Sequence, residues 1–326
     1  MKITVLGAGA WGTALARLLH RPERPVTIWG HNAERLLALL ALGRNDRYLP
    51  GIELPPDWLV EPDLLKAAAG SACIVFALPS KAFREVAQRL PNFNGIAVSV
   101  TKGIESDTGL TMGGVLREVM PDARAVALSG PTLAIEVARG IPTAIVAGGE
   151  DKAALIAIQE LLHRPAFRVY TTADWLGVEL GGALKNVIAI AAGVGDGLGF
   201  GDNAKAALVT RGIAEIRRLG VASGAQAETF AGLSGLGDLT VTCFSRLSRN
   251  RAFGERLGRG EKSAEILATS VGAVEGYPTA RSAWQLGRKL GVVTPIIDEV
   301  YAMLYEGKDV ALAVRDLTGR SSKAED

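Results

Sequence analysis

Residues 2–16 read KITVLGAGAWGTALA. The run ITVL at 3–6 is apolar and β-branched without polar alternation, the character of a strand buried on both faces. The residues after it are small and apolar in a helical pattern. Between the two, Gly7, Gly9 and Gly12 fall at the G-x-G-x-x-G spacing. That spacing alone is common in loops. Here it closes a strand and opens a helix in the first βαβ unit, the setting of a dinucleotide-binding turn. In that setting Gly7 permits the tight turn, Gly9 lets the backbone approach a pyrophosphate, and Gly12 lets the helix pack close to the strand. The helix N-terminus offers N–H groups and partial positive charge to the phosphates. The alternative is a tight turn that binds nothing.

Working outward, similar apolar runs recur at VTIW (26–29), ACIVFA (72–77), IAVSV (96–100), AVAL (125–128) and TAIVA (143–147). Helix-like segments such as 33–42 and 81–90 separate most of them. Strand then helix, repeated, predicts an α/β fold with a mostly parallel, doubly wound sheet of the Rossmann type. The rhythm changes near Trp175. Long Ala/Leu/Gly-rich segments follow, with no convincing strands, as in GVELGGALKNVIAIAAGVG and AALVTRGIAEIRRLGVA. The expectation is a dinucleotide-binding domain over 1–174 and an all-helical substrate-binding and catalytic domain over 175–326. The polar tail TGRSSKAED is expected to fray.

With 326 residues the chain suits two domains. Hydrophobic residues are 48% and charged residues 21% of it, which predicts a well-packed globule. A net charge of +2 without blocks of like charge argues against nucleic acid as a partner. Stable membrane insertion is not expected either, because the most apolar late run, Val187 to Val194, is too short to span a bilayer. The N-terminal apolar stretch is broken by the three glycines and reads as part of the fold, not as a signal peptide. Cys73 lies in a strand-like run and Cys243 in a polar, loop-like segment; both read as buried thiols of a reducing compartment. These cysteines and His20, His31 and His163 offer no metal-ligand spacing, so no metal is expected. A cytoplasmic protein is the default, with the oligomeric state open and a homodimer among the options.

An acid at the end of the second strand would select NAD by bonding the ribose 2′-OH. The sequence there is TIWGHNAER, with no acid before Glu34. His31 and Arg35 suit a 2′-phosphate, which favours NADPH and leaves NADH open. Both residues are otherwise ordinary surface positions. A dinucleotide implies redox chemistry, and hydride transfer at a carbonyl needs a group that moves a proton on the oxygen. Lys185, paired with Asn186 at the head of an apolar helical run, is costly there unless paired or at work; the alternative is a lysine reaching solvent. Lys102 follows the strand IAVSV, and Gly130 with Thr132 follows AVAL, where ligands sit in this fold class. Ordinary strand-to-helix turns are the alternative at both. Asp238, Thr242, Ser248, Arg249 and Asn250 crowd a glycine-bounded segment at 232–254. Arginine with serine and asparagine makes an anion clamp, unless the segment is a solvated loop.

The ordered motifs resemble the bacterial NAD(P)-dependent glycerol-3-phosphate dehydrogenase family over nearly the whole chain. They are GAGAWGTALA, ALPS at Ala77, TKGIE at Thr101, SGPTLAIE at Ser129, LKNVIAIAAG at Leu184, GLSGLGDLTVTC at Gly232, SRNRAFG at Ser248 and VEGYPTA at Val274. The resemblance implies interconversion of dihydroxyacetone phosphate and sn-glycerol 3-phosphate, for phospholipid synthesis, in a site between a Rossmann and a helical domain. It implies that Lys185 moves the proton and that Lys102 is a second lysine near cofactor and substrate. Gly130, Thr132, Asp238, Ser248, Arg249 and Asn250 match substrate positions, with Arg249 on the phosphate and near the cofactor. Trp11, His31, Tyr48, Ala134, Ala273 and Glu275 match cofactor positions. Ala10 stands where many relatives carry Ser or Thr, and Ala273 replaces a more usual Val, so neither side chain is expected to matter. Two alternatives stay open at this point. A ketopantoate or β-hydroxyacid dehydrogenase would not need the Ser248–Asn250 clamp. An NADP-sensing regulatory protein would have no use for Lys185 or Arg249.

Overall fold

The six expected strands form and two more join them in the computed structural model, which describes residues 1–320. Residues 321–326, most of the tail expected to fray, lie outside the described residues. The strands are β1 (Lys2–Leu6), β2 (Val26–Trp29), β3 (Leu59–Val60), β4 (Ser71–Phe76), β5 (Ile96–Ser99), β6 (Arg124–Ser129), β7 (Thr143–Gly149) and β8 (Phe167–Thr172). They make one sheet in the order β3-β2-β1-β4-β5-β6-β7-β8. All neighbours pair parallel except β6 and β7, which are antiparallel. The additions sit at the two edges. β3 is only two residues long, and β8 alternates buried with exposed positions, so neither shows the solid apolar run of an interior strand.

The helices of this half are α1 (Ala10–Leu19), α2 (Ala33–Leu42), α3 (Leu64–Ala68), α4 (Ser80–Gln88), α5 (Met112–Val119), α6 (Ala134–Ala138) and α7 (Lys152–Leu162). They cover both faces of the sheet. In β4, Cys73 and Val75 join the core under one face, while Ile74 and Phe76 join the core under the other. Successive side chains of a strand point to opposite faces, so this sheet needs apolar residues at every interior position. β1 has β2 on one side and β4 on the other. That reversal opens a crevice between the turns that follow β1 and β4.

From Trp175 onward the chain is helical: α8 (Trp175–Gly197), α9 (Asp202–Ala222), α10 (Asp238–Phe244), α11 (Arg249–Gly258), α12 (Ser263–Thr269), α13 (Gly276–Leu290), α14 (Pro295–Tyr305) and α15 (Val310–Thr318). One turn of 3-10 helix (Ala227–Ala231) and one of π-helix (Leu233–Gly237) lead into α10. The glycines that weaken the end of α8 let another helix in. A Cβ on Gly193 would lie 1.9 Å from the Arg251 carbonyl oxygen, and one on Gly254 would lie 2.0 Å from that of Ile190. α8 and α11 therefore cross backbone to backbone. α8 has 23 residues and is long and apolar enough to cross a membrane, but 94% of its apolar window is buried inside the protein. It is the central core helix of this half, and Lys185 sits in its middle, not at its head. Cys243, expected in a loop, is buried in α10, and Cys73 is buried in β4; both are free thiols. Burial pushes both up to about 12, which makes them inert.

Candidate active site

The turn after β1 has the geometry that its three glycines predict. Gly7 has φ +119°, and a Cβ there would meet the Ala77 carbonyl oxygen at 2.2 Å. A Cβ on Gly12 would lie 1.9 Å from the Gly7 carbonyl oxygen. At Gly9 no heavy atom lies within 4 Å of the Cβ position. Two glycines are thus demanded by the protein's own packing, and the middle one faces open space at the head of α1. This is a backbone cradle suited to a pyrophosphate. His31 and Arg35, exposed just beyond β2, face solvent, and Asn32 between them caps α2 through the Arg35 N–H.

A second constellation joins the two halves. Lys102, just after β5, donates to Asp238 Oδ2 at 2.6 Å, to the Gly130 carbonyl at 3.0 Å and to Thr132 Oγ1 at 3.4 Å. Lys185 of α8 donates to Asp238 Oδ1 at 2.5 Å and to Thr242 Oγ1 at 2.6 Å. One carboxylate, 1% exposed, therefore holds two ammonium groups and orients both. Lys185 is 6% exposed. Burial lowers its pKa to about 8; Asp238 opposes the shift and Lys102 adds to it. An amine with that pKa gives and takes a proton near neutral pH.

The other residues named from the sequence fall around these two groups. Asn250 donates to Asn186 Oδ1 and accepts from the Gly276 N–H, each at 2.9 Å; Asn186 donates to the Lys102 carbonyl at 3.3 Å. Ser248 caps α11 by accepting from the Arg251 N–H at 3.2 Å. Ser248 and Asn250 thus spend polar groups inside the protein. Arg249, between them in sequence, is exposed and lies against Gly272, with Ala273 next in sequence. Its charge sits in the field of Glu275 and Tyr48, which belong to different halves of the chain. Glu275 accepts from the Ser80 N–H at 3.1 Å and from its hydroxyl at 2.5 Å. Trp11 and Ala134 pack together on Leu49 and Ile52, and the Trp11 indole nitrogen is enclosed with no hydrogen-bond partner among the described residues. No bond among those described joins His31 to the lysine cluster.

Some working residues carry no sequence motif that assigns them a role. In the sequence Thr242 and Asn186 are only polar neighbours of Asp238 and Lys185. Ser80, which donates to Glu275 across the two halves, ends the ALPS segment. Glu179 of α8 accepts from the Gly113 N–H at 2.7 Å, so it too ties the helical half to the sheet half. Burial raises its pKa to about 7. In the sequence Glu179 is one acid in an apolar helix, with no spacing that marks it. Among the described residues no cluster of His, Cys, Asp and Glu could hold a metal ion.

A doubly wound sheet with this glycine turn, facing a helical half that supplies a buried lysine, defines a nicotinamide-dinucleotide oxidoreductase. Family models described as NAD-dependent glycerol-3-phosphate dehydrogenase N-terminus and C-terminus match residues 2–155 and 174–315. The chain belongs to the NAD-dependent glycerol-3-phosphate dehydrogenase family. It is 48% identical to the glycerol-3-phosphate dehydrogenase (NAD(P)+) of Syntrophotalea carbinolica over 331 residues, covering 100% of this chain and 99% of that one. It is 48% identical to the enzyme of the same name from Geobacter sulfurreducens, covering 99% and 98%. The crystal structure of glycerol-3-phosphate dehydrogenase from Coxiella burnetii superimposes with a TM-score of 0.94 at 37% identity, covering 98% and 99%.

Proposed function

We propose that this chain reduces dihydroxyacetone phosphate to sn-glycerol 3-phosphate with NADPH, NADH being an alternative donor, and catalyses the reverse oxidation. The product is the glycerol phosphate from which phospholipids are built. Residues 1–174 hold the dinucleotide, and residues 175–326 supply most of the substrate pocket. The observation that carries the reading is the pair of half-buried Lys102 and buried Lys185 on one buried carboxylate, in a chain of this family. Two buried free thiols suit a reducing compartment, which supports a cytoplasmic location.

The dinucleotide, when bound, supplies the hydride. The backbone N–H groups around Gly9 would hold its pyrophosphate. Lys185, as the ammonium, donates a proton from Nζ to the substrate carbonyl oxygen, and Asp238 and Thr242 aim that Nζ. In the oxidation the neutral Lys185 amine takes the proton from the hydroxyl. Lys102 adds a second cation beside the reacting oxygen, where fixed charge is worth more than in water. Asp238 keeps the two ammonium groups together without cancelling their attraction for a dianion. Arg249 reaches the phosphate from the mouth of the site.

The direct test is loss of NADPH absorbance on adding dihydroxyacetone phosphate. A phosphate-free 2-keto acid turned over faster would overturn the reading. Arg249→Ala should lower kcat/KM for dihydroxyacetone phosphate roughly ten- to hundred-fold, since charge-assisted hydrogen bonds are worth about 1.5–3 kcal/mol. It should leave the slow turnover of dihydroxyacetone nearly unchanged, because that molecule has no phosphate to hold. Equal losses on both would make Arg249 a structural or cofactor residue.

His31 governs the choice of dinucleotide. His31→Asp sets a carboxylate where a 2′-phosphate would lie, and like charges forced together cost several kcal/mol. The ratio of kcat/KM with NADPH to that with NADH should fall by at least about tenfold. An unchanged ratio would move the 2′-phosphate site elsewhere.

A further inference from the structure

The segment after α2 returns to the glycine turn through one side chain. Gly43 ends α2 with φ +63°, and its carbonyl accepts from the Leu54 N–H at 2.8 Å, which closes a loop over residues 43–54. Inside that loop the Asn45 carbonyl accepts from the N–H groups of Tyr48 and Leu49 at 3.1 and 2.7 Å. Leu49 and Ile52 then pack on Ala14 of α1. The Asn45 side chain, 8% exposed, points the other way. Its amide nitrogen donates to the Ala8 carbonyl at 3.0 Å and to Thr13 Oγ1 at 2.8 Å. Both amide hydrogens are therefore committed, one to the glycine turn and one to the helix that follows it.

Ala8 lies between Gly7 and Gly9. Its carbonyl belongs to the same planar peptide as the Gly9 N–H, and in a trans peptide the two point in opposite directions. A hydrogen bond that holds the carbonyl toward Asn45 turns the Gly9 N–H away from it. Gly9 is the residue with open space at its Cβ position. Its own carbonyl is fixed separately, by the Thr13 N–H at 2.9 Å.

We propose that Asn45 is a positioning residue for the dinucleotide: it locks the Ala8–Gly9 peptide so that the Gly9 N–H faces the pyrophosphate, and it thereby sets dinucleotide affinity without taking part in hydride or proton transfer. The inference rests on reading the glycine turn as the dinucleotide site. Asn45→Asp keeps the shape, loses both amide hydrogens and sets an oxygen against the Ala8 carbonyl. It also adds a negative charge near the phosphates, so Asn45→Leu, which loses the donors without adding charge, is titrated beside it. A rise in Kd confined to Asn45→Asp would be charge repulsion and would overturn the proposal.

The experiment is a fluorescence titration of NADPH onto the substrate-free enzyme, with steady-state kinetics alongside. A buried acceptor deprived of its donor costs enough to weaken binding on the order of tenfold or more. The Kd for NADPH of Asn45→Asp should rise by that factor. Its kcat at saturating NADPH, and its KM for dihydroxyacetone phosphate, should stay within about twofold of wild type. Thr13→Val removes the other acceptor and should move Kd by less than about threefold. A Kd for Asn45→Asp within twofold of wild type overturns the proposal, as does a Thr13→Val effect of equal size. If Asn45→Asp does not fold, Asn45→Ser is titrated in its place; failure of both to fold would make Asn45 a folding residue and overturn the proposal as well. Wild-type enzyme that does not bind NADPH would instead overturn the reading of the glycine turn.

Discussion

Replacing Lys185 with methionine should slow reduction of dihydroxyacetone phosphate by roughly a hundred- to ten-thousand-fold, the usual worth of a positioned proton donor. Methionine keeps much of the length of the side chain and removes the ammonium. The fold should survive, because Asp238 stays paired with Lys102 at 2.6 Å and the vacated place lies in an apolar helix core. NADPH affinity should change little, since Lys185 belongs to α8 and the glycine turn to the other half of the chain. Thermal unfolding and NADPH titration of the variant check those two points. A loss of turnover below about tenfold would remove Lys185 from the chemistry.

Asp238→Asn should have the larger effect on stability. An amide of the same shape offers one acceptor oxygen where the carboxylate offers two, and it points N–H groups at whichever lysine it does not serve. Lys185 is buried, so the loss leaves an uncompensated interior charge, at a cost of about 3–5 kcal/mol. The sign of the pH dependence follows from the direction of the Lys185 shift. Its pKa in the folded protein, about 8, lies below the ordinary lysine value of 10.5. Keeping it charged in the fold therefore costs free energy below about 8, and Asp238 is what limits that cost. The deficit of Asp238→Asn relative to wild type should be greatest in neutral or mildly acidic buffer. It should shrink as pH rises through about 8 and Lys185 loses its proton. Urea unfolding at two pH values measures this. Equal stability of variant and wild type at neutral pH would mean that the carboxylate does not hold the lysines as charged groups.

Much of the fold is legible because a sheet buried on both faces must be apolar at nearly every interior position. That requirement marks β1, β4, β5 and β6 as solid runs. It does not reach the edges, where β8 alternates and β3 has two residues. Pairing direction is not written in such runs, so the antiparallel step between β6 and β7 gave no sign. The glycine turn is legible because its three positions have three separate steric reasons. The lysines are legible as charges in the wrong company. What joins them is not: Asp238, Thr242 and Lys185 lie on two helices more than fifty residues apart in sequence. Cys243 reads as a loop residue because its neighbours are polar, yet it lies on the buried side of a helix whose Thr240 is exposed and whose Thr242 faces Lys185. Asn45, in the run RNDRY, carries no periodicity and no motif spacing, and its work is visible only once the chain has folded back onto Ala8.

The pH dependence of kcat/KM, measured in both directions on one enzyme preparation, tests the role of Lys185 most directly, because that parameter reports ionisations of the free enzyme. Reduction needs the ammonium, so its kcat/KM should fall as pH rises through about 8. Oxidation of glycerol 3-phosphate needs the free amine, so its kcat/KM should rise through the same pH. In Lys185→Met both limbs should be absent from the residual activity. Limbs at different pH values in the two directions, or limbs that persist in Lys185→Met, would contradict Lys185 as the group that moves the proton.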